Sequence, residues 1–257
     1  MDSAFIIVCV LAVMLVGFGK GGLGDALGLL GVPILSFVMP TVQAAAILLP
    51  ILVVMDVVAL WTWRAHWNKQ TFLILLPGAL IGILIGWITF AHVPDYVMRL
   101  LIGAVALSFT GRFFYNRYVA GNVSHPARAN EPVRAGIWST LSGYGSFIAH
   151  AGGAPFQVYA LPLKLSPKDY TGTAVRFFAL VNAVKLVPYS LLGVLSVGNL
   201  KISAMLFPVA LVATLAGAFV VKRMRPDVFY PFMYGMCALA GLKLAWDGIS
   251  ELVQLFA

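Results

Sequence analysis

Charge is scarce in this chain. Only 10% of its 257 residues are charged, whereas 61% are apolar. A soluble domain carries about 25% charged residues, because its surface must be wet. Uncharged runs extend over residues 71–91 and 202–221, and each is close to the roughly 20 apolar residues that cross a bilayer core as a helix. The composition excludes a soluble fold and predicts an all-α polytopic membrane protein.

Cysteine and histidine are also rare, with two and four copies. Cys9 and Cys237 lie in apolar segments and are interpreted as small core residues. No nucleotide-binding, zinc-site or nucleophile motif is found, so we predict no cofactor, no metal and no enzymatic activity. The net charge of +8 is spread over short loops, which does not indicate a nucleic-acid partner. The expected partners are the lipid bilayer and a small anion, and a homodimer is left open.

The two halves of the chain resemble each other. Matching residues occur in the same order in both: Gly21 and Gly143, Gly31 and Gly153, Pro33 and Pro155, Asp56 and Asn182, Pro77 and Pro208, Gly86 and Gly217. Chance matches of glycine and proline are common in membrane helices, but so many in order are not. We therefore predict two structural repeats, residues 1–120 and 133–257, joined by a polar cytoplasmic link at 121–132.

Each repeat is predicted to open with a broken, re-entrant, glycine-rich segment that is followed by three transmembrane helices. The predicted spans are 41–62, 71–91 and 95–115, then 170–191, 200–221 and 227–249. The opening run at 3–18 is too short to cross, because a helix rises only ~1.5 Å per residue. Basic residues predict a cytoplasmic loop at 222–225, as they do for the link. A non-crossing opening leaves an odd number of spans in each repeat, so the repeats are predicted to be inverted.

Two glycine-rich breaks carry the strongest functional signal. Glycine inside a helix costs about 1 kcal/mol relative to alanine, so the helices are expected to end at residues 19–24 and 150–155. Non-helical backbone at membrane depth is tolerated only where it is buried in protein or lines a cavity. The N–H groups of a following half-helix attract an anion. The breaks therefore predict an anion site between them at the midplane, with close helix packing as the alternative.

Titratable residues near the breaks are the candidate ligands and proton carriers. Lys20 is expected to balance the charge of the anion, and His150 to contact the substrate or a proton. Asp56 and Asp25 are the other proton-coupling candidates, and a hydrogen bond between helices is the alternative role for Asp56. The residues predicted to bind substrate are Gly19, Lys20, Gly21, Gly22, Gly24, His150, Gly152, Gly153, Gln157, Tyr159 and Arg176.

Some of the remaining polar and aromatic residues have two interpretations. Arg176 either clamps an oxyanion or extends towards the membrane interface. Lys185 shares a helical face with Asn182 and is a weaker candidate. The tryptophans are expected to lie in the interfacial belt: Trp61, Trp63, Trp67 and Trp87.

At these residues the chain resembles the sulfite exporter TauE/SafE family over nearly its full length. The resemblance rests on the first break through Gly31-Val32-Pro33, on residues 150–155, and on Tyr170-Thr171-Gly172-Thr173. It implies a secondary transporter of the bacterial inner membrane that exports sulfite, sulfoacetate or another organosulfonate. Lys20 and Asp25 bracket the first glycines where many relatives have glycine alone, so the substrate stays open. A passive anion channel, or a carrier of thiosulfate or a carboxylate, is the alternative.

Overall fold

The structure, a computed structural model, describes residues 3–89, 95–119, 131–191 and 196–256, and every regular element in them is helical. The helices are α1 Ser3–Phe18, α2 Asp25–Gly28, α3 Gly31–Leu35, α4 Thr41–Thr62, α5 Lys69–Thr89, α6 Asp95–Tyr118, α7 Pro132–Ala149, α8 Gly153–Ala160, α9 Pro167–Leu191, α10 Val197–Arg223 and α11 Pro226–Phe256. A π-helical turn, Gly19–Leu23, follows α1, and a 3₁₀ turn, Leu161–Leu163, follows α8. The predicted all-α fold is confirmed for the described residues.

The six predicted spans correspond to α4, α5, α6, α9, α10 and α11. Five helical runs are long and apolar enough to cross a membrane: Ala4–Leu23, Gln43–Thr62, Lys69–Thr89, Val197–Arg223 and Pro226–Leu255. The helices α6 and α9 are of similar length but carry four charged residues each, and they are not among these five. The chain is therefore a multi-pass membrane protein by the length and composition of its helices.

The first opening helix has the predicted bounds, Ser3–Phe18. A π turn adjoins it, and the apolar run Ala4–Leu23 has 20 residues, which is long enough to cross a membrane. The break occurs inside that turn, at Gly22, where φ is 127°. This is left-handed backbone that residues with a Cβ rarely adopt. The glycine signal thus identified the break correctly, whereas the re-entrant path of the opening stays a prediction.

The helices form two compact units. The first consists of Met1–Trp67 and Pro167–Met224, and the second of Asn68–Ser166 and Arg225–Ala257. Each unit contains helices from both sides of the predicted link at 121–132, most of which lies outside the described residues. The assignment of residues 1–120 and 133–257 to separate repeats stays a prediction from the sequence.

In the first unit, α4 packs against both α9 and α10. It is antiparallel to α9, because Arg176 near the start of α9 donates to the Trp63 carbonyl just after α4 (3.1 Å). It is parallel to α10, because Ser203 Oγ near the start of α10 donates to the Ile47 carbonyl (2.7 Å). Buried side chains of α1, α4 and α10 form one hydrophobic core.

The second unit repeats this pairing. Helix α7 packs along α5 so closely that a Cβ at Gly143 would lie 2.2 Å from the Ala79 carbonyl oxygen. Helix α6 is antiparallel to α11, since Arg99 near the start of α6 pairs with Glu251 near the end of α11 (3.3 Å). In both units an opening helix of one half packs on a long helix of the other half. The helices that correspond in sequence, α4 with α9 and α6 with α11, run antiparallel.

Candidate functional site

The first glycine break is a tight junction between the π turn and α10. Gly22 and Gly24 both have positive φ values, 127° and 103°. A Cβ at Gly21 would lie 2.4 Å from the Thr214 carbonyl oxygen, so only glycine allows this approach. Gly19 is enclosed in the break itself, where a Cβ would lie 2.8 Å from the Gly24 carbonyl oxygen. Such π-helical turns are rare and are frequent at functional sites.

A buried ion pair extends from this break into the unit. The Lys20 ammonium lies 2.6 Å from Asp56 Oδ1, and the two side chains are only 13% and 6% exposed. The second carboxylate oxygen, Oδ2, accepts a hydrogen bond from Asn182 Nδ2 (2.6 Å). Removing one partner of a buried pair costs about 3–5 kcal/mol, because the remaining charge is uncompensated. The structure thus brings together a predicted anion ligand and a predicted proton carrier, and it joins two residues in corresponding positions of the halves.

One face of α9 runs along the break and the ion pair. It consists of Thr171, Phe178, Asn182 and Lys185, whose spacing places them on one side of a helix. A Cβ at Gly22 would lie 2.6 Å from the Thr171 methyl group, and the Lys20 ammonium lies 5.8 Å from the Phe178 ring centroid. The Thr171 hydroxyl is buried and has no hydrogen-bond partner among the described residues. A buried hydroxyl of this kind is available to a ligand.

Trp63 belongs to this site and not to the interfacial belt. Its side chain is fully buried, and its Nε1 donates to the Gly21 carbonyl at the break (3.2 Å). The Lys222 ammonium lies 5.4 Å from the centroid of its ring. Trp61, two residues earlier, is 64% exposed, in keeping with the belt. The sequence contains no local signal that distinguishes these two tryptophans, so the interpretation of Trp63 was wrong.

Arg176 is engaged at the end of α4. Its guanidinium donates to the carbonyls of Trp63 (3.1 Å), Arg64 (2.8 Å), His66 (3.4 Å) and Gly172 (3.1 Å). Three of these carbonyls lie in the turn that follows α4, and the fourth, of Gly172, lies in α9 itself. The guanidinium also lies 4.6 Å from the ring centroid of Trp67 in the same loop. Anion binding by Arg176 stays a prediction.

Replacing Arg176 with lysine separates these two roles. A lysine ammonium cannot reproduce the planar fork that contacts four carbonyls at once. We expect Arg176→Lys to lower stability by roughly 2 kcal/mol, because several partly buried carbonyls lose charge-assisted hydrogen bonds. The affinity of the folded variant for sulfite should stay within about threefold of wild type. Thermal unfolding and equilibrium binding of the same preparation test this. A large loss of affinity at unchanged stability would mean that the guanidinium binds the anion.

The second break is a left-handed turn between α7 and α8. His150 has a φ of 51° and follows the last residue of α7. The Ala151 N–H donates back to the Gly145 carbonyl (2.9 Å), and Ser142 Oγ donates to the Gly152 carbonyl (2.6 Å). The break therefore lies where the second glycine-rich run predicted it. Its backbone is held by α7 itself.

Helix α8 is buried along its whole length, from Gly153 to Ala160. Gln157 Oε1 and the Tyr159 hydroxyl are both buried and have no hydrogen-bond partner among the described residues. The Arg134 guanidinium lies 6.0 Å from the Tyr159 ring centroid and donates to the Val158 carbonyl (3.2 Å). Gln157 and Tyr159 are two residues apart, so they point to different sides of the helix. They are two separate polar positions in this unit.

The segments after the two breaks are unequal. The first break is followed by α2 and α3, which have only four and five residues, whereas α8 has eight. The predicted anion site relied on the dipole of the helix that follows each break, and a helix of one turn supplies little of it. In the first unit the positive charge at the break therefore comes from Lys20. Asp25 begins α2, and its side chain lies outside the described residues.

Long apolar helices, two glycine breaks and a buried ion pair define a multi-pass membrane protein with a charged interior. This is the class in which membrane transporters are found. The chain belongs to the sulfite exporter TauE/SafE family, whose model matches residues 9–244. The resemblance inferred from the glycine and proline motifs is thereby confirmed, and members of this family are transporters rather than enzymes. No curated protein and no solved structure matches the chain.

Proposed function

We propose that the protein is a secondary transporter that exports a small sulfur-containing anion across the bacterial inner membrane. Sulfite, sulfoacetate and other organosulfonates are the proposed substrates, in keeping with the family. The observation that carries the proposal is the Lys20 ammonium, buried at the π turn of the first break. A lysine at this depth is costly and is retained mainly where it has a function.

The energetics favour an anion as the ligand of this lysine. Two unit charges 4 Å apart attract by about 1 kcal/mol in water but by about 4 kcal/mol at the effective dielectric of a protein. An oxyanion that reaches Lys20 Nζ in a poorly hydrated interior thus gains far more than at an exposed lysine. The glycines around it are the other proposed substrate contacts at this break: Gly19, Gly21, Gly22 and Gly24.

In the second unit, the proposed substrate contacts are at the other break and on α8. They are His150, Gly152, Gly153, Gln157 and Tyr159. The unpartnered Gln157 oxygen and Tyr159 hydroxyl support this part of the proposal, because buried polar atoms normally have partners. The joint binding of one anion by both breaks stays a prediction.

An inverted repeat with re-entrant openings is the proposed architecture of the transporter. Its support is the antiparallel packing of α4 on α9 and of α6 on α11, the two pairs of corresponding helices. A direct bond between Asp56 and Asn182, which occupy corresponding positions, also supports it, since residues near a pseudo-two-fold axis lie close to their counterparts. Transporters built on such repeats place their substrate near the repeat interface and alternate access around it.

A flux assay tests the function directly. Purified protein in proteoliposomes should transport sulfite, sulfoacetate or methanesulfonate with a rate that saturates with concentration, as a carrier does. Thiosulfate and acetate serve as competitors that define the substrate class. Flux that rises linearly without saturation would indicate a passive channel. No flux of any of these anions, from protein that unfolds cooperatively, would contradict the proposal.

A further inference from the structure

The Lys20 ammonium is already occupied by a carboxylate. Its Nζ lies 2.6 Å from Asp56 Oδ1, which is the distance of a charge-assisted hydrogen bond. An incoming anion must therefore share the ammonium with Asp56 or displace it. Sharing would place two negative charges beside one positive charge in a buried site, where repulsion between like charges is strong.

The described helices around the pair bring few other charges to this point. Helices α1 and α3, which pack beside α4, contain no charged residue. The Lys222 ammonium of α10 lies over the Trp63 ring, and the Arg176 guanidinium is engaged with carbonyls. On α9, Lys185 lies on the same face as Asn182 and is fully buried. A proton on the Asp56 carboxylate removes the second negative charge without a further cation.

The hydrogen bond from Asn182 suits a carboxyl group that changes its charge. Asn182 Nδ2 donates to Oδ2 and leaves Oδ1 to face Lys20. An amide N–H can donate to Oδ2 in either protonation state, so the side chain keeps its position when Oδ1 gains a proton. The new Oδ1–H then points to the place where the anion meets the ammonium, and it donates a second hydrogen bond there.

We propose that anion and proton bind together at the Lys20–Asp56 pair. A proton from water joins Asp56 Oδ1, the carboxylate releases the ammonium, and one monovalent oxyanion takes its place on Lys20 Nζ. The charge of the pair is zero before this exchange and the charge of the complex is zero after it. Proton and anion consequently cross in the same direction, and their combined movement carries no net charge. This inference rests on the proposed function.

Proton uptake on binding provides the test. Methanesulfonate is a suitable probe, because it remains ionised near neutral pH. Calorimetric titration of the full-length protein in buffers of different ionisation enthalpy should show about one proton taken up per anion bound, and affinity should rise by up to tenfold for each unit by which pH falls. Asp56→Asn should bind with no proton uptake and with an affinity that does not depend on pH. Asp247→Asn, which alters the Lys243–Asp247 pair of α11, is the matched control and should behave as wild type.

Each outcome decides between the two proposals. If wild type binds and transports methanesulfonate or sulfite without proton uptake, the coupling is wrong while the transport function stands. If Asp56→Asn still takes up a proton, another group carries it and the assignment to Asp56 is wrong. If neither anion is bound or transported, the proposed function fails and the coupling fails with it. Should Asp56→Asn not fold, infrared difference spectra of wild type and of Asp247→Asn decide, because anion binding should produce the C=O stretch of one newly protonated carboxyl group in both, and its absence would overturn the proposal.

Discussion

Lys20→Met combined with Asp56→Asn should leave a folded protein that binds anions far more weakly. The double change removes both charges of the buried pair, so no uncompensated charge remains, and such neutral replacements are often tolerated. The methionine keeps the length of the lysine stem, and asparagine at position 56 still accepts the hydrogen bond from Asn182. The attraction between ammonium and anion is about 4 kcal/mol at protein dielectric, which sets an upper bound of roughly three orders of magnitude on the affinity loss, because wild type gives up the Asp56 contact when it binds the anion. Equilibrium binding of sulfite and methanesulfonate measures it.

The single variants serve as controls for this result. Lys20→Met alone leaves the Asp56 carboxylate without its cation, and we expect it to lose about 3–5 kcal/mol of stability. Thermal unfolding of all three variants separates weak binding from poor folding. If the double variant unfolds as wild type does and binds sulfite equally well, Lys20 is a packing residue and the anion lies elsewhere.

Much of the fold could be predicted because its signals are local. Helix α4 begins at Thr41 and ends at Thr62, as predicted, because an apolar run there is bounded by Pro40 and by the polar loop. Both glycine breaks were found for the same reason, since several glycines in succession end a helix wherever they occur. The opening helix α1 also has its predicted bounds, whereas the π turn that adjoins it was not predicted, because such a turn needs only a small change of hydrogen bonding and leaves no composition signal.

The contacts of the site could be predicted only in part. Lys20 and Asp56 were both identified, because a charge in an apolar segment is conspicuous. Their pairing was not, since it joins residues 36 positions apart and depends on how α4 packs beside the π turn. Trp63 and Arg176 were interpreted from their position near helix ends, which is typical of interfacial residues. Tertiary packing decides whether such a side chain faces lipid or the interior.

Gly143→Ala is expected to disrupt the second unit. The added Cβ would lie 2.2 Å from the carbonyl oxygen of Ala79, and a backbone atom in the middle of α5 cannot move aside as a side chain can. The two helices must separate, which loosens packing along their shared length. Overpacking costs about 1–3 kcal/mol and more where backbone must shift. A loss of about 3 kcal/mol lowers the melting temperature by roughly 10 °C in a chain of this size.

Gly136→Ala is the matched control, on the same helix and with the same change of one methyl group. A Cβ at Gly136 would meet nothing within 4 Å, so only the better helix propensity of alanine remains, which stabilises by up to about 1 kcal/mol. The two variants should therefore shift the melting temperature in opposite directions in thermal unfolding of purified protein. Gly21, which corresponds to Gly143 in the other half, meets the Thr214 carbonyl oxygen in the same way. Gly21→Ala should thus lower the melting temperature as Gly143→Ala does. Normal stability of either variant would mean that the helices are less closely packed than these distances require.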